Sequence, residues 1–164
     1  VAIEMRRLAA AGLWLALALA FPLAAQESLA ELCRQGSPGE IAAAIAAGAD
    51  VNERDANGMS PLMFAAALAR DPAAIAVLLA AGAELEARDA AGDSPLMWAA
   101  AGNADTRVIA ALLDAGADIE ARAVNGATAL MLAAWRNANP AVVELLAGAG
   151  AALDDRAYAG TTAL

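Results

Sequence analysis

The chain has 164 residues and a net charge of −9, from 19 acidic side chains and 10 basic ones, every basic one an arginine. With neither lysine nor histidine, it lacks the basic clusters that neutralise phosphate and the usual acid–base and nucleophilic groups. Nucleic-acid binding and most side-chain catalysis are therefore not expected. Alanine fills 53 positions against six aromatic residues, so packing must come from small side chains with Leu, Ile, Val and Met.

Met5-Arg6-Arg7 opens the first recognisable element, followed by an apolar run from Leu8 to Phe21 and by Pro22-Leu23-Ala24-Ala25. That order is the layout of a secretory signal peptide, and the run is shorter than the roughly 20 apolar residues of a membrane-spanning helix. Cleavage is expected after Ala25, although Leu23 is bulkier than the small residue usual at that place. Val1 to Glu4 reads as an over-extended start, or Val1 as the true start translated as methionine. The remaining chain, from Gln26, is expected in the periplasm of a bacterium with a GC-rich genome, or secreted, with no membrane anchor. Cys33 is the single cysteine, so no intramolecular disulfide forms. Its apolar neighbours favour a buried thiol over a redox one.

Residues 26–57 read as an N-terminal capping repeat, with an apolar stripe at Leu29, Leu32 and Cys33. A second helix follows from Pro38, capped by Ser37 with Glu40 three residues on. From Gly58 the chain repeats itself. Gly58-Met59-Ser60-Pro61-Leu62-Met63 returns as Gly92-Asp93-Ser94-Pro95-Leu96-Met97 and as Gly126-Ala127-Thr128-Ala129-Leu130-Met131. It returns once more, cut short, as Gly160-Thr161-Thr162-Ala163-Leu164. The step is 34 residues, so 58–91, 92–125 and 126–159 are repeats and 160–164 starts another.

Within each unit Ser60-Pro61 starts an inner helix and Asp71-Pro72 an outer one. The counterparts of the second start are Asp105-Thr106 and Asn139-Pro140. The outer helices should stop at Gly48, Gly82, Gly116 and Gly150. An extended finger follows, in which Val51, Leu85, Ile119 and Leu153 should tuck against the stack.

Turn glycine, Ser/Thr-Pro-Leu-x-x-Ala-Ala, Leu-Leu-x-x-Gly-Ala and Asp/Glu-x-Asn/Glu, in that order, resemble the ankyrin repeat over about residues 29–164. The resemblance implies an all-α, curved solenoid of helix-turn-helix-finger units that binds other proteins. Two departures stand out. Met63, Met97 and Met131 occupy the place of the histidine common in that family, which implies apolar packing where a polar network would lie. The step is 34 rather than 33, with the extra residue near Ala69-Arg70, Asn103-Ala104 and Asn137-Ala138. Asn137-Ala138-Asn139-Pro140 resembles a loop of a bacterial variety of these repeats.

Arg54, Arg88, Arg122 and Arg156 share the 34-residue step and lie near finger acids. They form either a charged strip for a partner or anion, or a set of solvated pairs between fingers. No loop has the dense acidic spacing of a calcium site, so no metal or cofactor is expected. Partners of the family contact turns and inner-helix ends. The large or charged residues there are Met59, Asp93, Val124, Asn125, Trp135, Arg136 and Tyr158, with Val124, Trp135, Arg136 and Tyr158 as the anchors. Phe64, Trp98 and Leu132 are assigned to packing between repeats.

The end at Leu164 leaves the last repeat without a following helix, as in a truncated product or a face covered by another chain. The expected function is a non-catalytic interaction module for another, exported protein: a scaffold, helper or inhibitor. A carboxylate-based or metal-dependent enzyme and a non-functional fragment are the alternatives. Mass measurement of the exported chain should find it beginning at Gln26; a chain retaining Leu8 to Phe21 would contradict the signal-peptide reading.

Overall fold

The structure, a computed structural model, describes residues 28–35 and 37–153. The signal-peptide reading, Tyr158, Arg156 and the shortened last repeat lie outside the described residues. Eight helices occur in antiparallel pairs, with no strand among the described residues: α1 Leu29–Gln35 with α2 Pro38–Ala46, α3 Pro61–Leu68 with α4 Ala73–Ala80, α5 Pro95–Gly102 with α6 Thr106–Asp114, and α7 Ala129–Arg136 with α8 Pro140–Gly148. The inner helices α1, α3, α5 and α7 pack in sequence more extensively than the outer ones.

Each inner helix starts where the cap residues dictate. Ser60, Ser94 and Thr128 accept from the backbone N–H of Met63, Met97 and Met131. The thioethers of Met63 and Met97 in turn accept weakly from the N–H of Ser60 and Ser94, both at 3.4 Å. The three methionines are fully buried, as expected of apolar substitutes, and Met63 and Met97 also complete the cap. On the outer side Ser37 and Glu40 form the capping box, and Asp105 and Asn139 cap α6 and α8. The helix after Asp71-Pro72 starts one residue later than expected, at Ala73, whose N–H bonds to the Asp71 carboxylate.

Alanine sets the spacing of the stack. Ala65, Ala66, Ala99, Ala100 and Ala133 have no exposed surface, so inner-helix backbones approach closely. Leu62, Leu96 and Leu130, with Ile75, Leu78, Ile109 and Leu112, fill the space between the inner and outer layers. Each such side chain contributes about 1.5–3 kcal/mol on burial.

The fingers close as hairpin-like turns without strands: Asp55 N–H bonds to Met59 O, Asp89 N–H to Asp93 O and Ala123 N–H to Ala127 O. Gly92 must be glycine here. Its φ is +79°, and a Cβ would stand 2.9 Å from the Val124 nitrogen of the next turn. Val51, Leu85 and Ile119 pack against the core as expected, whereas Leu153 is 45% exposed.

Repeats are tied by side chains that reach neighbouring backbones. Asn103 donates to the carbonyls of Ala66 and Ala69, and Asn137 to those of Ala100 and Asn103. The loop residue gained by the longer step is thus a brace. Asn103→Ala should leave two buried carbonyls unpaired and destabilise the fold by about 1–3 kcal/mol. Urea unfolding measures this directly, and an unchanged midpoint would refute the brace.

Candidate functional site

Arg34, Leu68, Gly102 and Arg136 recur at the 34-residue step near the ends of the four inner helices. They lie along one groove of about 350 Å³, with Met59 from a turn and the aromatic side chains of Phe64 and Trp98. The Arg34 guanidinium sits 5.3 Å from the Phe64 ring centre, a cation–π distance that holds it over the groove. Trp98 is oriented by its indole N–H, which bonds to the Asp89 carboxylate at 2.9 Å. Leu68 is 45% exposed on the surface of the groove.

The family model for ankyrin repeats (3 copies) matches residues 29–123 and 66–157, most of the chain. The chain belongs to the ankyrin-repeat family. Comparison with curated proteins finds no match. Ankyrin repeats are generally protein–protein interaction modules and typically non-enzymatic binding scaffolds. Among the described residues no group of three or more Cys, Asp or Glu side chains could hold a metal ion, and no helix is long and apolar enough to cross a membrane.

The ankyrin stack distributes the sequence-predicted contact residues unevenly. Met59 and Arg136 line the groove together. Trp135, 51% exposed, is beside Arg136 at the end of α7 and is not among the groove's lining residues. Val124, 73% exposed, and Asn125 lie on the turn, where Asn125 accepts from the Ala127 N–H. The Val124 N–H bonds to Ala91 O, so this residue also joins two turns. Phe64 and Leu132 are buried as assigned, but Trp98 is half-buried and contributes to the groove with Phe64. Sequence reasoning missed Arg34 as a groove residue. The signal was present, because 34, 68, 102 and 136 keep the repeat step.

Among the described residues the arginines of the fingers are occupied within the ankyrin stack. One guanidinium nitrogen of Arg54 donates to the carbonyls of Gly58 and Arg88, and the matching nitrogen of Arg88 to those of Gly92 and Arg122. Arg122 donates to Gly126 O. The finger acids are likewise engaged: Glu86 accepts from the Asp118 N–H and Glu120 from the Ala152 N–H. These residues join repeats by backbone contacts, which differs from both a free strip and a set of simple ion pairs. Arg54 with Glu84 at 2.8 Å and Arg88 with Glu86 at 3.7 Å add ion pairs that are partly exposed.

Burial, and then the charge of Glu53, pushes the Cys33 thiol up to about 12, so it stays protonated at neutral pH, in keeping with a buried apolar side chain. Burial raises the carboxyl of Asp93 above its ordinary range, reinforced by the charge of Asp89, while Arg136 and Arg88 oppose the shift. A carboxyl raised on folding binds its proton more tightly in the native state. Its stabilising share is full below the unfolded value of about 4 and is lost as pH rises through the folded value. Asp93→Asn should therefore raise the urea midpoint at pH 7, and that gain should vanish below about pH 4. A gain independent of pH would show that ionisation of Asp93 is not its source.

Proposed function

We propose that the chain is a bacterial envelope protein that binds another exported protein through its concave face, without chemistry of its own. The groove carries the reading: an apolar strip open to solvent between two arginines, on a stack whose Arg54, Arg88, Asn103 and Asn137 are engaged in bonds between repeats. A preformed stack needs little ordering on binding, which favours recognition by a rigid surface. The leader-like segment from Met5 to Ala25 supports export, and the roles of scaffold, helper or inhibitor of an exported enzyme all fit this surface. The carboxylate-enzyme reading requires acids that converge in a pocket. The finger acids instead lie at successive repeats, bonded to backbone N–H groups.

The test is site-specific photo-cross-linking in envelope preparations. A photoreactive residue at Leu68, on the groove, should yield a protein adduct, while one at Ala76, exposed on the outer helix α4, should not. Trp135→Ala with Arg136→Ala should weaken that adduct. No adduct at Leu68, or equal adducts at both sites, would remove the concave face as the binding surface.

A further inference from the structure

The column Arg34, Leu68, Gly102, Arg136 places two guanidiniums at the ends of an apolar strip, on a protein whose net charge is −9. Among the described residues Arg136 makes no hydrogen bond or ion pair, and Arg34, stacked over the Phe64 ring, has an exposed ion pair with Glu31 at 3.6 Å and no hydrogen bond. Asp93 shares the Arg136 neighbourhood but is itself partly buried. Both arginines thus retain hydrogen-bonding capacity for an incoming carboxylate.

Gly102 adds an independent observation. It ends α5 with ordinary helical geometry, and a Cβ there would meet Ala67 no closer than 3.4 Å, an ordinary contact. Neither backbone conformation nor packing requires glycine, and glycine weakens a helix relative to alanine. What the missing side chain does is leave the groove open between Leu68 and Arg136.

Resting on the reading of the concave face as a protein-binding surface, we infer that the groove holds an extended protein segment with an apolar centre and a carboxylate at each end. The apolar side chains would lie on Phe64, Leu68 and Trp98 over the space left by Gly102, and the carboxylates on Arg34 and Arg136. Three steps between inner helices, at about 8–10 Å each, separate the backbones that carry the two arginines, and Arg34 reaches inward over Phe64 to shorten the gap between the charges. An extended chain of about eight to nine residues spans that distance.

Fluorescence anisotropy with labelled peptides of about nine residues tests this. One has glutamates at both ends of a leucine-rich centre, a second has lysines in their place, and a third has serines in place of the leucines. The full chain should bind the glutamate peptide at least about ten-fold more tightly than either of the others. Arg34→Glu with Arg136→Glu should reverse the charge preference. Gly102→Leu, which fills the groove, should abolish binding while far-UV circular dichroism remains that of the parent. Absence of binding by the glutamate peptide, equal binding of the lysine peptide, or full binding by Gly102→Leu would each overturn the inference. Cross-linking at Leu68 in envelope preparations would then still decide separately whether the concave face binds protein at all.

Discussion

The close approach of the inner helices, allowed by fully buried alanines, is the contact on which the other features of this stack depend. With Ala65, Ala66, Ala99, Ala100 and Ala133 between them, successive backbones come near enough for one repeat's side chains to reach the next repeat's peptide groups. Asn103 can then satisfy carbonyls of α3 and the loop after it, and Asn137 those of α5 and its loop. Larger side chains at those alanines would push the helices apart and leave the asparagines short of their acceptors. Packing and hydrogen bonding are therefore coupled, because the small residues set the distance and the polar ones fix the register.

The same coupling runs along the fingers. Turn backbones bond directly, Ala90 N–H to Asn57 O and Val124 N–H to Ala91 O. Arg54 and Arg88 span from their own turn to the following finger. A charged residue bonded to two carbonyls is poorly placed to bind a partner, since leaving would strand those carbonyls without a donor. This separates two kinds of arginine in one chain. Arg54 and Arg88 of the fingers hold repeats together, whereas Arg34 and Arg136, at the inner-helix ends, lie along the groove.

Much of the fold was legible because single residues enforce it. Glycines at 58, 92 and 126 take positive φ, Ser60 and Ser94 cap helices, and Ile75, Leu78, Ile109 and Leu112 repeat on one buried face. What stayed hidden were contacts between repeats. Asn103 and Asn137 read locally as loop residues, and nothing within their own repeat reveals that their amides bond to the repeat before. The groove was half legible. Met59 and Arg136 stand out in the sequence as contact positions, but Arg34 comes from the first helix, where no turn motif marks its place in the repeat. Gly102 falls at a contact position as well, but as a small residue whose contribution is empty space.

That emptiness bears on how a solenoid diversifies. Core positions in this array accept little variation: Leu62, Leu96 and Leu130 are identical and buried, as are Met63, Met97 and Met131. The column at the inner-helix ends instead reads arginine, leucine, glycine, arginine, with no two neighbours alike. A side chain there can change without opening a cavity, because all four positions are exposed. Stability and recognition are thereby assigned to different columns of the same repeat. The braces that make the stack rigid also keep the variable column in one geometry, so that a partner meets a surface already formed.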